Sequence, residues 1–190
     1  EPDAGIQQAL LGVFDAFDEL MLDPSNLALR DNVVASLDAL GGRMRSVATT
    51  WSQLADDART MLDSALIDAN QMLARVDRLN AEIGMAGGNV SNELLDQRDQ
   101  LIDELSSRLG ITAMTRANGM VDITLDGQAL VQTGVTPVQT LGYDASAGVV
   151  VAATGTAVTT GGRIGGIDAY IRTDLPALRG QLDQLAFDLR

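Results

Sequence analysis

The stretch NELLDQRDQLIDELSSRLG, Asn92 to Gly110, sets Glu93, Asp96, Asp99, Asp103 and Glu104 around Arg98. Its reading decides the fold. As a reaction centre, Asp96, Asp99 and Asp103 would be metal ligands or a carboxylate pair. As a helix, the same three acids lie on one face at three- and four-residue steps. Leu94, Leu101 and Leu105 then make an apolar row, with Leu95, Ile102 and Leu109 beside it. A divalent-cation site needs more ligands, commonly from loops, and carboxylates three apart on a wet face stay ionised and separate. The helical reading follows, with Ser91 as the N-cap and Gly110 as the left-handed residue closing the end.

Arg98 falls on the apolar row, and three and four residues away it has only Leu94, Leu95, Leu101 and Ile102. Either its stem covers the seam with the head in water, or it pairs with a carboxylate on another helix. The second is the expectation, since a buried pair can fix register. Glu104 and Arg108 read as an ordinary i,i+4 pair.

Upstream, Ile6, Leu10, Val13, Phe14, Phe17 and Leu20 give a helix with one buried stripe, capped at Asp3 and ended by the turn Asp23-Pro24-Ser25. A longer seam follows through Val33, Leu37, Leu40, Met44, Val47, Trp51, Leu54, Ala58, Met61 and Ala65. It then moves over to Leu62, Leu66, Ala69, Leu73, Val76, Leu79 and Ile83, as an inserted stutter does. Gly41-Gly42 interrupts it at about 1 kcal/mol per glycine, so a bend or break is expected there. From Arg43 to Ala86 the helix would run roughly 65 Å at 1.5 Å per residue, natural for a rod. Gly84 to Gly88 should end it.

Downstream of Gly110 the texture changes to short Thr- and Val-rich runs. Met114–Arg116 and Met120–Leu125 flank the hairpin signal Ala117-Asn118-Gly119, and Asp126-Gly127 turns into Ala129–Val131. Further strands are expected around Val138, from Val149 to Ala153 and from Thr156 to Thr160. Asp122 and Asp126 miss calcium-loop spacing and read as turn residues. The run GGRIGG, Gly161 to Gly166, lacks the Lys-Ser/Thr of a phosphate loop and the spacing of a dinucleotide loop; its GxxG match is short, and it reads as a flexible joint. A helix then runs from Gly165, with Pro176 opening a new first turn after an Asp174 cap or kinking the chain. Its apolar pattern is still running at Arg190, so the element is expected to continue, and the start at Glu1 points to a processed or cut chain.

Composition narrows the chemistry. The 190 residues are 46% hydrophobic but only 3% aromatic, a core of aliphatic seams rather than a stacking pocket. The chain has no histidine and no cysteine, and all 13 of its cations are arginine. The commonest general base, thiolate and zinc chemistry, and Schiff-base lysine are thereby unavailable. A net charge of −13 opposes phosphate backbones, and no apolar run nears the roughly 20 residues of a membrane helix. No catalytic, cofactor or metal residue is assigned. The residues singled out are packing and register positions: Arg98, Leu94, Leu101, Leu105, Trp51, Leu62 and Leu73.

EPDAGIQQALLGVFDAFDEL followed by DPSNLALRDNV, then NELLDQRDQLIDELSSRLGI, then GGRIGGIDAYIRTDLPALRGQLDQLAFDL resemble, in that order, segments of the flagellar hook-associated protein 1 (FlgK) family. The resemblance spans nearly the whole chain, and the segment at residues 92–111 is the most specific. It implies a structural subunit of the junction between hook and filament in the bacterial flagellum, exported and extracellular. Implied partners are further copies of itself, hook protein, hook-associated protein 3 and an export chaperone whose site lies outside this chain. It also implies a piece lacking the family's terminal assembly regions.

The expected fold is mainly α with an inserted small antiparallel β unit, an elongated helical bundle of the flagellin-like axial type. Its parts are a long-helix bundle over 1–110, the β unit over 111–160 and a returning helix over 161–190. The alternatives are another axial protein, flagellin or hook-associated protein 3, and a secreted helical adhesin that binds through the β unit. An enzyme using Asp99 or Asp103 is the weakest reading.

Overall fold

The computed structural model describes residues 2–86, 89–134 and 137–189. It is mainly helical, with two small antiparallel sheets between the third and fourth helices. The chain packs as two compact units, one formed by residues 1–56 with 175–190, the other by Asp57–Asp174.

In the first unit, α1 (Pro2–Leu22) and the opening of α2 (Leu27–Ala86) form a helical hairpin joined by Asp23–Asn26, and α5 (Leu175–Asp188) completes the unit. The Asp3 side chain, expected as a cap, lies outside the described residues. At the turn, Asn26 Oδ1 accepts from Ala28 N–H at 3.0 Å and so caps α2. Arg30 donates twice to the Pro24 carbonyl. Ile6, Val13, Leu40 and Val47 are the buried centre, with Leu10, Met44, Trp51, Leu182 and Leu185 packed around them. The expected interruption at Gly41-Gly42 does not break the helix: α2 is continuous through both glycines. Leu40 and Val47 are buried on either side, and their packing outweighs a propensity cost of about 1 kcal/mol per glycine.

In the second unit the buried stripe of α2 passes through Ala58, Leu62, Ala65, Leu66, Ala69, Leu73 and Val76. The move of the seam from Met61 onto Leu62 is as the spacing predicts: Leu62 is fully buried and Met61 is half exposed. α3 (Asn92–Leu109) begins at Ser91, whose side chain accepts from Leu94 N–H, and ends at Gly110 with φ 71°. Both caps match the sequence reading.

β1 (Thr112–Thr115), β2 (Val121–Leu125) and β3 (Gln128–Val131) form one meander; β4 (Leu141–Asp144), β5 (Gly148–Val151) and β6 (Thr156–Ala157) form a second. The strand expected around Val138 is absent. That residue is a half-buried loop position, and the strand is β4, whose Gly142 and Asp144 weaken its signal. Asp122 is not a turn residue but a buried member of β2. Ile123, Leu125, Leu130, Val131, Val149 and Val151 close the core against α2.

The glycine run is also not a flexible joint. α4 (Gly162–Ala169) starts inside it, and Gly161 N–H donates to the Leu109 carbonyl at 2.7 Å. Gly162 has φ 55°, and a Cβ there would collide with the Ser107 carbonyl oxygen and the backbone of Arg108. The glycines let two helix ends meet backbone to backbone. α4 continues through a π turn at Tyr170–Asp174 into α5, so Pro176 does not open a separate helix. Proline has no N–H to donate, and its ring opposes an α-type carbonyl four residues back; the widened turn accommodates both.

Candidate functional site: a polar clamp on the first hairpin

The β1–β2 hairpin turn lies against the last turns of α2 and the start of α3, and three side chains, Asn80, Met120 and Arg98, hold it there. Asn80, 3% exposed, forms a closed pair with one residue: its amide donates to the Val121 carbonyl at 2.7 Å, and its Oδ1 accepts from Val121 N–H at 3.0 Å. The side chain thus stands in for a neighbouring strand where β3 no longer reaches. Gly84, one turn on, leaves room for Met120, whose methyl group a Cβ would strike at 2.6 Å.

Arg98 supplies the third grip. It is buried on α3, and Nη1 donates to the Gly119 carbonyl at 2.6 Å. Its other partner is Asp99 of its own helix, with Nε and Nη2 at 2.9 and 2.7 Å from Oδ1. The cross-helix carboxylate expected for Arg98 is therefore replaced by a turn carbonyl and an adjacent acid. Spacing of three and four residues does not see a neighbour at one, which the long arginine side chain reaches by folding back.

Within the β region itself, Asp122 ties the hairpin to the end of β3. Its Oδ1 accepts from Thr133 N–H and Oγ1 at 2.9 and 2.8 Å, and its Oδ2 accepts from Arg116. The Arg116 hydrogen bond, helped by Thr133, holds this carboxyl below its ordinary range despite the opposing effect of burial. The second sheet repeats part of the scheme. Asn70 pairs with both backbone groups of Leu141 at 2.8 Å, and Arg172 donates to the Ala147 carbonyl of the β4–β5 turn at 3.0 Å.

Of the residues picked from sequence, Leu62, Leu73 and Leu105 are fully buried in the larger core, and Leu101 packs against it half-buried. Leu94 is half-buried on α3. Trp51 belongs to the other unit, where with Ile6, Leu10, Leu178, Leu182 and Leu185 it lines a cleft of about 340 Å³. The Glu104–Arg108 pair forms at 2.6 Å, with Asp68 at 3.5 Å from the same guanidinium. Asn70 and Asn80 were missed, while Asp122 was read as a turn residue and Gly84 as the start of the helix end. The signal of the two asparagines was present: Asn80 follows the seam residue Leu79, and Asn70 follows Ala69.

Asp96, Asp99 and Asp103 are exposed, and no group of three or more acids that could hold a metal occurs among the described residues. In the cleft of about 450 Å³ between the second sheet and α4, Asp168 and Arg172 face each other at 3.6 Å. Also among the described residues, no helix is long and apolar enough to cross a membrane.

A protein built this way is a helical packing scaffold, in which buried polar side chains satisfy strand and turn backbone rather than converge on a cavity. The chain belongs to the flagellar hook-associated protein FlgK helical domain family, whose model matches residues 1–190. It is similar to flagellar hook-associated protein 1 of Escherichia coli, 34% identical over 131 residues, covering 62% of this chain and 24% of that protein. The same protein of Bacillus subtilis is 25% identical over 134 residues, covering 65% and 26%. The chain thus spans about a quarter of the length of these relatives. The structure of the flagellar hook junction protein FlgK from Burkholderia pseudomallei aligns over 90% of this chain and 33% of its own. The TM-score is 0.73 at 23% identity, a likeness of fold.

Proposed function

We propose that this chain is the helical part of a structural protein of the bacterial flagellum, acting at the junction of hook and filament. The observation that carries the reading is the family match along the whole chain. The chemistry agrees: a histidine-, cysteine- and lysine-free sequence whose buried polar groups are tied to backbone has little with which to turn over a substrate. On this reading the chain has no catalytic role, is exported, and works outside the cell. Its partners are further copies in the junction, hook protein and hook-associated protein 3. The export chaperone binds elsewhere in the full-length protein.

Within that role Arg98, Leu94, Leu101, Leu105, Leu62 and Leu73 set the packing and register of α2 and α3, and Trp51 does so in the other unit. Electron microscopy of a strain lacking the gene tests the assignment. The expected result is hooks without filaments, with filament protein lost to the medium and both restored by the gene in trans. Normal filaments in the deletion strain would refute it.

A further inference from the structure

Two residues at the tip of the clamped hairpin carry a chemistry that the clamp does not use. Asn118 is followed by Gly119, the one Asn-Gly step in the sequence. The other six asparagines, Asn26, Asn32, Asn70, Asn80, Asn89 and Asn92, precede Leu, Val, Gln, Ala, Val and Glu. In an Asn-Gly step the glycine nitrogen can attack the side-chain amide before it, because glycine has no Cβ to shield that nitrogen or restrict its approach. Asn118 is exposed, and with Arg116 it lines an open cleft of about 390 Å³, so water reaches the amide.

Three bonds of the folded turn stand against that attack. Gly119 N–H donates to the Arg116 carbonyl at 2.9 Å, so the nucleophile is engaged. Asn118 Oδ1 accepts from Met120 N–H at 3.1 Å, which fixes the amide over the following peptide. The Gly119 carbonyl is held at 2.6 Å by Nη1 of the buried Arg98. The first bond must break before the nitrogen can lose its proton and attack. The other two restrain the rotations that would bring it to Cγ of Asn118.

We propose that Asn118 is a self-modification site gated by Arg98, closed while the guanidinium holds the turn and reactive when the turn opens. In the open turn the Gly119 nitrogen gives its proton to hydroxide and attacks Cγ of Asn118. A C–N bond forms, the bond from Cγ to the side-chain nitrogen breaks, and that nitrogen takes up a proton and leaves as ammonia. Water then opens the cyclic imide at either carbonyl, leaving aspartate or isoaspartate at position 118. Either product adds a negative charge. Isoaspartate also runs the backbone through Cγ, and the longer path no longer matches the turn to its strands. The Gly119 carbonyl is then displaced from Arg98, and a hairpin that had opened briefly stays open.

Ageing the whole chain in mildly alkaline buffer tests the proposal, with conversion at each asparagine read by peptide mass spectrometry. The other six asparagines are internal controls. Ring closure is slow beside turn opening, so the native rate divided by the rate in denaturant is the fraction of time that the turn is open. Hydrogen exchange of the Gly119 amide gives that fraction independently and without any substitution. Asn118 should convert ahead of the other six, at a native rate at least about ten times below the denatured rate, as a hydrogen bond to a charged group allows. Arg98→Leu, with helix content checked by circular dichroism, should raise the native rate at least about tenfold and leave the denatured rate unchanged. If that variant does not fold, the exchange comparison decides alone. Any one of four results overturns the proposal. They are conversion at Asn118 no faster than at the other six, equal native and denatured rates, and an unchanged native rate in folded Arg98→Leu. The fourth is a Gly119 open fraction that departs from the rate ratio by more than about tenfold.

Discussion

Replacing Asn80 by alanine removes two hydrogen bonds and strands two backbone groups. Val121 is 1% exposed, so its N–H and C=O cannot turn to water when the amide is gone. A neutral bond contributes about 1 kcal/mol net, and an unsatisfied buried polar group costs about 1 to 3 kcal/mol. With the two losses partly overlapping, the variant should lose about 2 to 5 kcal/mol, a large share of the roughly 5 to 15 kcal/mol that holds a domain together. Denaturant unfolding followed by circular dichroism measures the loss, and hydrogen exchange at the Val121 amide locates it. Asn80→Asp separates bonding from volume. Its carboxylate still accepts from Val121 N–H but faces the Val121 carbonyl, whereas the protonated acid can donate to it. Burial and that carbonyl raise the folded pKa above the unfolded value of about 3.9. Relative to wild type the variant should therefore be most stable below that pH and lose stability as pH rises through the folded value. A loss under about 0.5 kcal/mol for Asn80→Ala, with Val121 protection unchanged, would refute the surrogate-strand reasoning.

Four further outcomes are expected. Gly162→Ala should destabilise by several kcal/mol, because a Cβ there meets backbone at positive φ, while Gly166→Ala, with open space around it, should be neutral or stabilising by up to about 1 kcal/mol; thermal melts compare the two. Gly41→Ala and Gly42→Ala meet only the tip of Arg45 and should each raise stability by about 0.5 to 1 kcal/mol in the same assay. Arg98→Leu should keep helix content by circular dichroism yet speed amide exchange in the β1–β2 turn, since the Gly119 carbonyl loses its donor; in cells, unchanged motility would count against a role for this grip in assembly. Asp122 has its carboxyl held below the ordinary value of 3.8, so its contribution is complete above that pH and disappears as pH falls through the folded value; Asp122→Asn should flatten the acid limb of a pH–stability curve.

The helices were legible because each is an amphipathic repeat with caps a short-range reading can see: Ser91 and Gly110 were both placed correctly, and so was the shift of the seam to Leu62. A break at Gly41-Gly42, one of the two outcomes expected there, and a flexible joint at GGRIGG failed because they asked local rules to settle tertiary matters. Gly41-Gly42 looks like a break only until the burial of Leu40 and Val47 is known. GGRIGG looks flexible only until Gly161 and Gly162 are seen against Leu109 and Arg108, a contact across about fifty residues of sequence that no window covers. β4 was lost because strand propensity is a weak guide when packing against a helix and an asparagine supplies the order. Texture also divides the chain at Gly110 and Thr160, whereas compactness divides it within α2 and again at Leu175.

The polar clamp follows from a limit of helix–sheet packing. A sheet laid on a helix buries its apolar face readily, but where one strand outruns its neighbour, or lies at the edge with none, the backbone groups there are left facing protein instead of water. Val121 and Leu141 are the first residues of β2 and β4, and at each of them an asparagine of α2 supplies the missing donor and acceptor. Leucine at either position would bury more apolar surface and satisfy neither group. The ten-residue interval between Asn70 and Asn80 therefore sets the places on α2 at which the two sheets can begin. A one-residue slip of either sheet would turn its buried face outward and uncouple its asparagine at once, so hydrophobic pattern and hydrogen bonding select the same register.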